Sequence, residues 1–394
     1  MKLRDIFATD VTRDIPPVVY FHEQDPEKLE SEVSEYIITG GYPEGHPHHQ
    51  RVPRGIHEHF VKLLTRVREE LEKSRGPELP TSWISGFYGS GKSSFAKLLG
   101  LSLDGVELPD GTLLSERLLE RDTSPKSDEF REAWEALQNE IDPMATVFDL
   151  GAVARGNESV HSAVVRKVQE RLGYCPTHDP NVADAELKIE RNGDWDAFSE
   201  AVVEELGDRW EEIRDNEFVE DDFSRVLHRM YPERFEEPLA WVDSRIGTAS
   251  EGRSAAEAVE DIEDMLDHRA PDKTLFIVVD EVSQYIHENH ERMLKLQSFA
   301  SALGQRLQGR AWLLVTGQEK LEEESEATVV GRLKDRFPPK FRVHLDATNI
   351  RDVVHKRLLR KDDDHRDRLK QLFDDNRHNL KNYAYECEDI TRED

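Results

Sequence analysis

Eight consecutive residues, Gly86-Phe87-Tyr88-Gly89-Ser90-Gly91-Lys92-Ser93, satisfy the pattern G-x-x-x-x-G-K-[ST] at every constrained position. The chemistry of that spacing is phosphate binding. Glycines let successive backbone N–H groups turn inward around an anion, and a helix starting beside Lys92 adds the positive end of its dipole. The expected nucleotide contacts run from Gly86 through Ser94. Lys92 would reach the β- and γ-phosphates, and the Ser93 hydroxyl would ligand Mg²⁺. Average residue usage yields such a string by chance in about one chain of this length in a hundred. A glycine turn that binds nothing is the alternative.

A second group of residues narrows the chemistry. The apolar run Thr274 to Val279 ends at Asp280-Glu281. Asp280 would hold Mg²⁺ through its water shell, and Glu281 would orient and deprotonate the attacking water. The same pair could cap a helix opening at Val282-Ser283-Gln284-Tyr285, which is compatible with the catalytic role. No Asn-Lys-x-Asp guanine-reading string occurs, so the expected nucleotide is ATP. Ala311 to Val315 reads as an extra strand between the phosphate-loop strand and the strand of Asp280. Thr316 and Gln318 then sit at its tip as γ-phosphate or water sensors, or as the turn chemistry of a capped strand end. Arg336, with Arg332 second, is the candidate for an arginine that reaches a neighbouring subunit's γ-phosphate and ties hydrolysis to assembly. A solvated basic face or an intrachain ion pair is the other reading of these arginines.

These residues need a scaffold, and the pattern around them is that of a layered α/β domain. Ser82 to Ser85 reads as a short buried strand entering the glycine loop, with a helix over Ser94 to Leu103 after it. Met144 to Leu150, Thr274 to Val279, Ala311 to Val315 and Phe341 to Leu345 supply further strands; the long apolar runs are typical of strands buried on both faces. Apolar residues at Ile56, Phe60, Val61, Leu64, Val67 and Leu71 mark an amphipathic helix ahead of the loop. The expected organisation is an N-terminal arm and loop over 1–55, a parallel-sheet core sandwiched by helices over 56–345, and a helical lid over 346–394. Inside the core, 155–270 reads as a mainly helical, acidic insertion that braces the core or presents a surface.

The chain has 394 residues, with 82 Asp and Glu against 53 Lys and Arg, a formal charge of −29. Of the basic residues 35 are Arg and 18 are Lys, and the acidic ones are spread throughout, the pattern of a salt-adapted surface such as that of haloarchaea. In high salt the charge repulsion from nucleic acid is screened, so overall charge does not exclude DNA. The segment Arg332 to Lys370 departs from the rest, with 13 basic and 7 acidic residues. It could touch DNA phosphates but lacks the interleaved aromatics of a single-strand platform. No apolar stretch approaches the ~20 residues that span a bilayer, and the first ten residues have no apolar core or cleavage site. The two cysteines, Cys175 and Cys387, form no disulfide framework or zinc motif. A cytoplasmic protein with no membrane contact is expected.

Taken together, Met1-Lys2-Leu3-Arg4-Asp5-Ile6-Phe7, Ser85 to Ser93, Asp280-Glu281-Val282-Ser283-Gln284-Tyr285-Ile286, and Arg336-Phe337 with Lys356-Arg357-Leu358-Leu359-Arg360-Lys361 resemble the BrxC/PglY-like P-loop ATPases of bacteriophage-exclusion (BREX) systems. The resemblance extends in order and separation over nearly the whole chain. It implies an AAA+-like (ASCE-type) P-loop core, self-association, and partners that include a methyltransferase and an alkaline-phosphatase-like protein. Members of that family are much longer, so the resemblance also implies a truncated lid that lacks a second nucleotide-sensing arginine.

The leading expectation is therefore an ATP-hydrolysing module that assembles and couples turnover to DNA surveillance. An ATP-dependent switch or scaffold with little turnover is the alternative. A small-molecule kinase is disfavoured by the Asp280-Glu281 pair and the sensor strand.

Overall fold

The structure is a computed structural model, which describes residues 7–8, 19–156, 158–176, 181–245, 252–286, 289–318, 337–346, 348–361 and 363–385. Five strands, β1 (Thr81–Gly86), β2 (Asp142–Asp149), β3 (Lys273–Asp280), β4 (Ala311–Gln318) and β5 (Arg342–Leu345), form one sheet. Every pairing is parallel, in the order β2-β3-β4-β1-β5. As expected from the sequence, β4 lies between β1 and β3. Its register sets Ile84 beside Thr316 and Val279 beside Val315, so the C-terminal ends of these strands share one edge.

The central strands alternate between two apolar cores, because successive side chains point to opposite faces. Leu275, Ile277, Val279, Leu313 and Val315 enter one core with the helices Val160–Arg171, Ala255–Arg269 and His290–Leu307. Phe276, Val278, Trp312 and Leu314 enter the other with Ile56–Leu71, Lys92–Leu103 and Ser127–Glu140. The result is a three-layer sandwich in which the sheet is covered on both faces, which is why its strands read as continuous apolar runs.

The 155–270 segment divides in space. Its outer helices, Val160–Arg171 and Ala255–Arg269, belong to the sheet's own core. Between them Val182–Arg191, Trp195–Leu206 and Val219–Met230 enclose a separate satellite core around Phe198, Trp210, Phe223 and Trp241.

Two other differences from the sequence reading have local causes. The N-terminal arm contains a helix, Pro26–Glu35, where only arm and loop were expected. Asp25 caps it by accepting from the backbone N–H groups of Glu27 and Lys28, Pro26 occupies its first turn, and Leu29 and Val33 are buried against the core. The arm also clasps the helices after β5. Glu35 pairs with Arg357 at 2.9 Å, the Thr39 hydroxyl donates to Asn349, and the Ala8 N–H donates to the Arg360 carbonyl at 2.9 Å. The described part of the expected lid comprises Thr348–Arg357 and Asp363–Tyr385. Cys175 is buried in the satellite, and Cys387 lies outside the described residues. Among the described residues no helix is long and apolar enough to cross a membrane.

Candidate functional site

The C-terminal edge of the sheet gathers the residues singled out by motif. β1 ends at Gly86, and the chain turns through Phe87, Tyr88 and Gly89 into the helix Lys92–Leu103. Gly86 must be glycine, since a Cβ there would lie 2.4 Å from the Ser90 hydroxyl oxygen and 2.8 Å from the Leu345 carbonyl oxygen. Gly91, immediately before the helix, adopts φ 87°, a left-handed conformation that L side chains rarely take. No side chain caps the helix, and its first intrahelical bond is Phe95 N–H to the Gly91 carbonyl at 2.8 Å. The first-turn N–H groups of Lys92, Ser93 and Ser94 therefore remain open. The Ser90 hydroxyl is buried without a partner beside them. Phe87 and Tyr88 are exposed at the tip of the turn. Orphaned donors around a concave backbone constitute the electrostatic requirement for an anion.

Lys92 is the first helical residue and is nearly buried. Burial holds its ammonium below the usual lysine range, opposed by the charges of Asp280 and Glu281. No carboxylate among the described residues comes within ion-pair range of it.

Asp280 is the last residue of β3, and its carboxylate accepts from the Thr316 hydroxyl. Burial raises the Asp280 carboxyl above its ordinary value, while Thr316 and Ser93 act to lower it. The metal-ligand candidates Ser93 and Asp280 thus face each other across the gap between β3 and the loop. Glu281 follows with φ 58°, and its N–H donates to the Thr316 oxygen at 3.0 Å. Thr316 is fully buried and bridges the two acids, donating to one and accepting from the backbone of the next. In this arrangement its hydroxyl orients the acid pair and is not open to a ligand. Gln318 stands at the strand tip, with its N–H on the Ser283 hydroxyl at 3.0 Å. Arg332 and Arg336 lie outside the described residues.

Two residues not singled out by motif complete the edge. Asp149 ends β2 and sits in register with Asp280. Its carboxylate accepts from the Gly151 N–H at 2.8 Å. A Cβ built on Gly151 would lie 3.3 Å from that carboxylate and 3.6 Å from a Glu281 carboxylate oxygen, so the two acids flank one small gap. Burial first, then the charges of Asp149 and Asp280, push the Glu281 carboxyl up, while Lys92 and a hydrogen bond from Gln284 oppose the rise. Gln284 Nε2 donates to Glu281 Oε1 at 3.2 Å. Only the side-by-side placement of β2 and β3 gives Asp149 its meaning; in the sequence it is one more acid at the end of an apolar run.

Three carboxylates therefore meet an uncompensated lysine and a set of open N–H donors. Among the described residues no group of three or more His, Cys, Asp or Glu is disposed to hold a metal ion by itself. The geometry suits a ligand that brings anionic oxygens and shares a cation with the protein. No protein-family model matches the chain, and no solved structure matches it.

Proposed function

We propose that this chain binds Mg²⁺–ATP at the C-terminal edge of its sheet and hydrolyses it, as the nucleotide-driven module of a BREX-type phage-exclusion system. The observation that carries the reading is a single juxtaposition. The open donors of the Gly86–Ser93 loop face an acid pair at the end of β3, whose charges act on Lys92 and whose first member lies across from Ser93. The strand order, with β4 between β1 and β3, supports an AAA+-like P-loop core.

In this reading the N–H groups of the loop and Lys92 hold the phosphates. Ser93, and Asp280 through water, would hold Mg²⁺, which would neutralise phosphate charge. Thr316 keeps Asp280 and the Glu281 backbone in place, and Glu281 accepts a proton from the attacking water. Glu281 is suited to that task because burial and, after it, the charges of Asp149 and Asp280 raise its proton affinity. Arg336 or Arg332 would act from one subunit on the next, consistent with self-association. A methyltransferase, an alkaline-phosphatase-like protein and DNA are the partners to test.

The test is phosphate release from Mg²⁺–ATP by the wild type, Lys92→Ala and Glu281→Gln, across protein concentrations, in molar KCl, with and without DNA. Turnover that rises faster than protein concentration, and falls about a hundredfold or more in Glu281→Gln, is expected. Lys92→Ala should lose nucleotide binding. Tight ATP binding without phosphate release would replace the hydrolase by a nucleotide-dependent switch, and absence of ATP binding would remove both.

A further inference from the structure

Gln284 belongs to the five-residue helix Val282–Ile286 that follows the acid pair, and it is the only described side chain that donates a hydrogen bond to the Glu281 carboxylate. We propose that Gln284 is a positioning residue that holds Glu281 in line for its proton transfer against the push of Asp149; the inference rests on the hydrolytic reading above.

The two oxygens of Glu281 face different surroundings. Oε1 receives the Gln284 amide at 3.2 Å, whereas Oε2 is the oxygen nearest the Gly151 gap, on whose other side stands the Asp149 carboxylate. Like charges at that separation repel, so an untethered Glu281 would rotate away from Asp149. Thr316 holds the Glu281 backbone through its N–H at 3.0 Å, but that bond does not fix the side-chain torsions. The amide of Gln284 supplies the opposing attraction and leaves Oε2 free for a proton.

A tether works only if its own base is fixed, and the short helix is fixed on three sides. The Ser283 hydroxyl accepts from the Gln318 N–H at 3.0 Å. The Tyr285 hydroxyl donates to the Glu158 carbonyl at 2.5 Å, which ties the helix to the segment after β2. Arg292 lies 4.1 Å over the Tyr285 ring and donates to the Tyr285 carbonyl at 2.9 Å. Gln284, between these anchors, is exposed to solvent yet directed at the acid.

The experiment measures kcat and the Kd for Mg²⁺–ATP of the full chain with Gln284→Met, which keeps the side chain's length and removes its N–H donors. The same measurements are made on Asp149→Asn and on the double variant, with thermal melts as a check of folding. A hydrogen bond to a charged group leads to an expected fall in kcat of about tenfold or more in Gln284→Met, with Kd for Mg²⁺–ATP unchanged. In the Asp149→Asn background the same substitution should cost several-fold less, because the push it resists is gone. A merely structural role for Gln284 would give equal losses in both backgrounds, and that result overturns the proposal. So does an unchanged kcat in an active protein. A wild type that binds Mg²⁺–ATP but releases no phosphate overturns the hydrolytic reading itself, and this inference with it.

Discussion

Two clusters of carboxylates in this molecule are treated in opposite ways. In the satellite, Glu186 is wholly inaccessible and accepts from the Cys175 N–H at 2.6 Å and the Trp210 indole at 2.8 Å, with the Arg269 guanidinium at 3.5 Å. Its neighbour Glu190 takes Arg269 Nε at 2.6 Å and the Tyr174 hydroxyl. Arg269 also donates to the Gly173 carbonyl at 2.8 Å and lies 3.4 Å over the Tyr174 ring. Both acids have an internal cation and internal hydrogen-bond donors. At the sheet edge Asp149, Asp280 and Glu281 accept from Gly151, Thr316 and Gln284, and no cation among the described residues is within ion-pair range. A compensated acid pair is structural glue, whereas an uncompensated acid cluster beside open N–H donors is prepared for something that arrives from outside.

The contrast can be broken most forcefully at Arg269. Arg269→Met should leave Glu186 and Glu190 buried without their cation, at a cost of about 3–5 kcal/mol. Urea unfolding followed by tryptophan fluorescence would show it, since Trp195, Trp210 and Trp241 report on the satellite. A change below about 1 kcal/mol would mean that Arg269 is not the compensating charge.

The pH dependence of stability is a second, somewhat smaller effect. Burial pushes the Glu186 carboxyl up to about 7 from an ordinary 4.5. Between those values the folded chain holds a proton that the unfolded chain releases. The contribution is therefore fully present below about pH 4.5 and lost as pH rises through 7, to a total of the order of 3 kcal/mol. Unfolding titrations of the wild type and Glu186→Gln between pH 4.5 and 8 test this; the fall should be largely absent from the variant. Parallel curves would refute the assignment to Glu186.

The smallest effect sharpens the other half of the comparison. Asp149→Asn keeps the oxygen that accepts from Gly151 and removes one of three like charges, so the nucleotide-free protein should gain about 0.5 kcal/mol. Saturating Mg²⁺–ATP should erase that gain, because a bound cation compensates the same charges. Loss of stability on this substitution, measured by thermal melting without nucleotide, would show that the edge is not electrostatically frustrated.

The sheet and the candidate site were not equally legible in the sequence. The central strands β3 and β4 were readable because a strand buried on both faces must be a short, continuous apolar run, and the edge strand β5 through its alternation of apolar and polar residues. The helix Pro26–Glu35 escaped because the Gly- and Pro-rich stretch after it dominated the arm, although Asp25-Pro26 carried a capping signal. The split of 155–270 escaped because helical periodicity reports which face is buried but not which core receives it. Asp149 and Gln284 escaped for another reason. Neither belongs to a spaced pattern with the loop, and their roles arise from a neighbouring strand and from one turn of helix.

By itself the sequence determined the local chemistry: a glycine-rich turn able to bare its N–H groups, an acid pair at the end of an apolar strand, and the surface charge of the chain. Those properties follow from residue types and short spacings. The tertiary structure alone decided that β2 lies beside β3, that Thr316 spends its hydroxyl on Asp280, and that Asp149 presses on Glu281 while Gln284 holds it. The relations of Thr316 and Asp149 to the acid pair join different strands, and they exist only once the parallel register of the sheet has brought the strand ends to one edge.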